Sequence, residues 1–129
     1  MFENKEHTNI EQLGEFGLIA HLTKAIECTG KTTTKGIGDD AAVLDFSKSK
    51  VLVSTDLLLE GIHFDLRYVP LKHLGYKAIQ VNLSDIYAMN GTASQVTLSV
   101  GLSSKFPLEA IEELYAGALL ACKNYEVDL

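Results

Sequence analysis

The chain has 129 residues, 47% hydrophobic and 22% charged, with a formal net charge of −6. That size and balance suit one globular domain with a real core, and the acidic excess argues against nucleic-acid partners, which are held by Lys and Arg on backbone phosphates. No apolar run reaches membrane-spanning length, and Met1–His7 lacks the basic and apolar stretches of a secretory signal, so a cytoplasmic protein without membrane partners is expected.

Thr8 and Asn9 can cap a first helix, with Glu11 completing a capping box three residues after Thr8 and Leu13, Phe16 and Ala20 facing inward. Thr29–Lys35 is polar and unpatterned, which predicts a loop. A short strand is expected over Ala41–Phe46, then a turn over Asp45–Lys50. Val51–Ser54 is nearly continuous in apolar residues, as in a strand buried on both faces, and a second extended run covers Leu57–Phe64. After Pro70 a helix is expected over Lys72–Met89, stopped by Asn90-Gly91. Its stripe is Leu74, Ala78, Val81 and Ala88, with Asp85 on the same face. A buried carboxylate there needs a partner or a metal.

Gln95–Gly101 alternates as a strand with Val96, Leu98 and Val100 on one side. Pro107 opens a last helix with the stripe Ile111, Leu114, Tyr115, Ala118 and Cys122, and Val127–Leu129 begins another strand. Cys28 and Cys122 match no zinc spacing and are expected to be reduced, buried and structural. The order of elements predicts an α/β (α+β) domain over residues 1–129, with helices packed on one face of a mixed sheet.

Chemistry concentrates in three acidic clusters: Gly36-Ile37-Gly38-Asp39-Asp40-Ala41-Ala42, Val53-Ser54-Thr55-Asp56 and Asn82-Leu83-Ser84-Asp85. Oxygen-only clusters suit a hard cation such as Mg2+, which binds through a few carboxylates plus water and substrate phosphates. No Gly-x-x-x-x-Gly-Lys-Ser/Thr loop is present to cradle phosphates. Each cluster also has a plainer explanation: a Gly-Asp turn before a strand, a polar strand end, and a helix cap at Asp85. Adjacent Asp39 and Asp40 repel each other unless a cation lies between them. By spacing alone, His63 reads as a surface or satisfied core residue, Glu60 as a solvated strand residue and Tyr115 as core.

Taken together, Gly36–Val43, Ser54-Thr55-Asp56 with Glu60-Gly61-Ile62-His63-Phe64, and Tyr76–Gly91 resemble the thiamine-monophosphate kinases, as does Gly14-Glu15-Phe16. The resemblance runs from Leu13 onward. It places the chain beside aminoimidazole ribonucleotide synthetase and selenophosphate synthetase in a superfamily with an N-terminal α/β domain and a larger C-terminal one. It implies that Asp40, Asp56 and Asp85 ligate Mg2+, with Asp39 adjacent and Ser54 and Thr55 adding oxygens, that His63 contacts thiamine monophosphate, and that Tyr115 lies near ATP. It further implies a homodimer formed through the N-terminal domains.

The family's Gly-Gly-Asp-Thr segment would begin just past Leu129. The chain is therefore expected to be the N-terminal ATP/Mg-binding and dimerisation domain, inactive alone. Transfer from ATP to thiamine monophosphate would need no general base, because a phosphate monoester loses its second proton near pH ~6. The alternatives are another ATP-dependent enzyme of the superfamily, of selenophosphate or aminoimidazole ribonucleotide synthetase type, and a non-catalytic dimerisation module.

Overall fold

The computed structural model describes residues 8–37, 43–47 and 49–129. Its centre is a pair of long helices, α2 (Leu71–Ala88) and α3 (Leu108–Tyr125), each entered directly after a proline. Proline has no N–H to leave unsatisfied at a helix start. Both helices end on a left-handed residue, Asn90 (φ 56°) after α2 and Glu126 (φ 55°) after α3. In each case the following amide reaches back five residues, Gly91 N to Ile86 O at 2.9 Å and Val127 N to Cys122 O at 3.0 Å. These bonds satisfy carbonyls that a helix end otherwise leaves open.

Ile79, Leu83, Ala118, Ala121, Cys122 and Val127 form the buried core, with Tyr76, Val96, Leu98 and Leu129 packed against it. The helices touch through backbone. A methyl group on Gly75 would overlap the Leu114 carbonyl oxygen, and one on Gly117 would overlap that of Lys72. The buried stripe of α2 is consequently Leu74, Gly75, Ile79 and Leu83. This corrects the expected Leu74–Ala78–Val81–Ala88 stripe, because the deepest point of the contact is a glycine that carries no hydrophobic signal. On that rotated helix Asp85 is exposed, not inward-facing. The α3 stripe holds: Ile111, Ala118 and Cys122 are buried and Leu114 and Tyr115 half-buried.

At the N-terminal end, the Asn9 side chain caps a single 3-10 turn, Ile10–Gln12, by accepting from Glu11 N at 2.9 Å. Thr8 does not form the expected capping box; its N and Oγ1 donate to Glu109 Oε1 on α3 at 3.1 and 3.0 Å. Helix α1 (Gly14–Thr23) buries Leu22, and His21 contacts Glu112 of α3 at 2.6 Å. The expected inward face fails, with Phe16 84% exposed and Ala20 also at the surface.

The regular ladder is small. Strands β1 (Thr33–Lys35) and β2 (Val43–Leu44) pair antiparallel, Thr33 opposite Leu44 and Lys35 opposite Val43, with a bulge in β1. β1 lies inside the stretch expected to be loop, and β2 is shorter than the expected strand, of which Ala41 and Ala42 lie outside the described residues. Of the turn expected after it, residues 45–47 are described and Ser47 N donates to Asp45 Oδ1 at 2.9 Å, while Lys48 lies outside the described residues.

Val51–Ser54 is not a doubly buried strand: it joins no ladder among the described residues, and Val53 is 88% exposed. Leu57–Phe64 folds into turns at Gly61–His63, leaving one parallel bridge from Glu60 to Phe64. In Gln95–Gly101 the alternation survives, Val96, Leu98 and Val100 being less exposed than Thr97, Ser99 and Gly101, but only Gln95 is bridged, in parallel, to Asp128. The described molecule is thus mixed α/β, with less regular sheet than its pattern predicts. Both cysteines are free, but only Cys122 is buried; Cys28 is exposed, which corrects the expectation for it.

Asp128 ties the two ends of this arrangement together. Only 4% exposed, its carboxylate accepts from Thr29 N at 2.7 Å, Gly30 N at 2.9 Å and Thr33 Oγ1 at 2.6 Å. Burial pushes its pKa up, but the bonds from Thr33, Thr29 and Gly30 outweigh that and hold it below the ordinary 3.8. Asp128→Ala orphans two backbone N–H groups and is expected to destabilise the fold by about 2–4 kcal/mol in urea unfolding. Because the folded pKa is depressed, this contribution is complete above the unfolded pKa and is lost as pH falls through the folded one. Asp128→Asn should therefore flatten the acid limb of a stability–pH curve.

Candidate functional site

The second and third acidic clusters meet. Residues 54–56 run antiparallel to the last turns of α2 and are fastened to it twice: Ser54 Oγ donates to Asp85 Oδ2 at 2.9 Å, and Asp56 N donates to Asn82 Oδ1 at 2.8 Å. Asn82 and Asp85, three positions apart, lie on one helix face. The arrangement brings the Ser54 hydroxyl onto the Asp85 carboxylate and the Asp56 backbone onto Asn82 at one edge of α2. Ser54, Thr55, Asp56 and Asn82 also line an open trough of about 850 Å³ whose walls are largely apolar. Asp39 and Asp40 lie outside the described residues.

Among the described residues no three His, Cys, Asp or Glu side chains gather closely enough to hold a metal by themselves. Two exposed carboxylates with neighbouring hydroxyls nevertheless fit Mg2+, which keeps several waters and takes only one or two carboxylates plus substrate phosphates. The donors are all oxygen, which disfavours softer metals.

His63 stands in the turn after Gly61 and is held at two points. Leu59 N donates to its Nδ1 at 3.0 Å, and its carbonyl accepts from Lys77 Nζ at 2.9 Å. A backbone N–H can only donate, so Nδ1 is the acceptor and the neutral ring carries its proton on Nε2. Tyr115 is half-buried on α3, and burial raises its pKa, keeping the hydroxyl protonated and able to donate. Neither His63 nor Tyr115 is bonded to Asp56 or Asp85 among the described residues.

Two residues that spacing alone leaves without a role stand out, Asn82 and Lys77. Asn82 carried a signal, since asparagine is a poor choice in the interior of an 18-residue helix unless its amide is used. Lys77 carried none, since one lysine on a helix surface is ordinary.

An acidic, oxygen-donor edge thus lies beside an open trough on a mixed α/β domain. The chain belongs to the family described as AIR synthase related protein, N-terminal domain, whose model matches residues 38–129. It is 37% identical over 120 residues to a thiamine-monophosphate kinase of Aquifex aeolicus, an alignment covering 93% of this chain and 37% of that protein. Kinases of the same name from Synechococcus elongatus and Bacillus subtilis are 34% and 35% identical, covering 94% and 91% of the chain and 36% of each relative. The chain thus spans little more than a third of the length of these relatives. No described helix is long and apolar enough to cross a membrane.

Proposed function

We propose that the full-length protein carrying this domain is a thiamine-monophosphate kinase, using ATP and Mg2+ to form thiamine diphosphate in the cytoplasm. The observation that carries the reading is the double fastening of residues 54–56 to Asn82 and Asp85, and the names of its relatives point the same way. Asp56 and Asp85 position cations, with Ser54 and Thr55 adding oxygens and Asp39 and Asp40 completing the set. Mg2+, when bound, supplies charge neutralisation where two phosphates must approach. His63 offers its Nε2–H to the thiamine monophosphate, and Tyr115 its hydroxyl on the nucleotide side. No residue here need remove a proton, because the acceptor phosphate is already anionic at neutral pH.

Homodimerisation belongs to the same proposal. Val51, Val53, Leu57 and Leu59 leave an exposed apolar strip in extended chain, a surface that a second copy's strands can cover. That strip also favours a second reading, a pairing module without catalysis.

ADP release by the full-length protein should depend on thiamine monophosphate over other phosphorylated acceptors, and titration calorimetry should show a non-hydrolysable ATP analogue binding only with Mg2+. Preference for another acceptor would move the protein to a different reaction of its superfamily. Absence of any coupled binding would leave the pairing module.

A further inference from the structure

We infer that Asn82 is a positioning residue that fixes the Asp56 segment against α2. Its amide is used at both ends. Nδ2 donates to the Ala78 carbonyl one turn back at 2.9 Å, while Oδ1 accepts from Asp56 N at 2.8 Å. A carbonyl can only accept and a backbone N–H can only donate, so the two partners leave one orientation of the amide. The bond to Ala78 holds the side chain along the helix, which aims Oδ1 outward at the extended segment.

The grip falls on the Asp56 backbone and leaves its carboxylate out of the bond. One turn along the helix, Ser54 Oγ on Asp85 makes the second clamp. Two extended steps from Ser54 to Asp56 advance at most about 6.6 Å and three helical steps from Asn82 to Asp85 about 4.5 Å, a difference of about 2 Å that the Ser54, Asn82 and Asp85 side chains span. With one clamp alone, the segment can pivot about the Ser54 contact and carry Asp56 away from Asp85. Partners that orient ligands in this way commonly govern metal affinity by 10- to 100-fold, on the order of magnitude seen across metal sites.

The consequence for cation affinity rests on the reading under Proposed function; the grip on Asp56 does not. Two measurements on the full-length protein keep them apart. Without added metal, the Asp56 amide should exchange with deuterium about tenfold faster in Asn82→Ala than in the parent. In Asn82→Asp, which keeps an acceptor oxygen but loses the donor to the Ala78 carbonyl, protection should return only in part. Alanine favours a helix, so α2 remains formed, and circular dichroism verifies this.

With Mn2+ as the probe ion, calorimetry should show binding weakened by at least about tenfold in Asn82→Ala. Unchanged Asp56 exchange overturns the inference, and Mn2+ affinity within about twofold of the parent overturns its consequence for the cation. A parent that binds no Mn2+ defeats the cation reading of the site, and the exchange rates then decide alone whether Asn82 holds Asp56.

Discussion

Asp85→Asn in the full-length protein is expected to cut thiamine monophosphate-dependent ADP release by at least about a hundred-fold while leaving the fold as it was. The substitution removes a charge and keeps the shape. Asparagine can still accept the Ser54 hydroxyl through its Oδ1, so the clamp to residue 54 survives. Asp85 is exposed near the end of α2, and surface changes of this kind alter stability by no more than about 0.5 kcal/mol. A large loss of turnover with an unchanged melting curve therefore isolates the electrostatic role of the carboxylate. If Asp85→Asn turns over at near-parental rate, the assignment of Asp85 to a cation is wrong.

Gly117→Val is expected to produce the largest loss of stability of any single change on α3, more than about 3 kcal/mol. A side chain added there meets the Lys72 carbonyl and the Tyr76 amide, and Gly75 faces the Leu114 carbonyl in the same way. These obstacles are backbone inside two helices, so no side chain can rotate aside. The helices must separate, which opens the core around Ile79, Leu83 and Ala118. Gly101→Ala is the matched control, since nothing lies within 4 Å of the added methyl and the loss of chain freedom in the unfolded state should stabilise by about 0.4–1 kcal/mol. Urea unfolding of the three proteins tests the contrast, and equal midpoints for Gly117→Val and the parent would sink it.

Helix positions were the most legible part of this sequence. The expected Lys72–Met89 helix is found at Leu71–Ala88, because Pro70 and Asn90-Gly91 punctuate it with residues whose backbone preferences are strong. Which face it buries was not legible. Hydrophobic spacing weighs Ala78 and Val81, whereas the contact is decided by Gly75, whose contribution is to have no side chain. The apolar Val51–Val53 run shows the converse: its composition fits an interior strand, but ladder partners come from elsewhere, and none pairs with it among the described residues.

For the site, the pairing of the second and third clusters was legible in their residue types, and Ser54 and Asp85 do meet. The reason given for Asp85 was mistaken, since it is an exposed acid at a junction and not a buried one awaiting a partner. Asn82 was legible as a member of the third cluster but, carrying no charge, was given no role of its own, although it holds the backbone of Asp56. Asp39 and Asp40 lie outside the described residues.

The grip of Asp128 on Thr29, Gly30 and Thr33 spans 95 to 99 positions of sequence, and that of Glu109 on Thr8 spans 101. A ribosome adding roughly 5–20 residues per second takes about 5–20 s to make the later partner after the earlier one. During that interval the first third of the domain has neither anchor, and the polar loop ahead of β1 waits unfastened. Neither anchor can form before Glu109 and Asp128 have been added, so a slow codon or a pause ahead of them prolongs the time the first third of the domain spends without its fastenings.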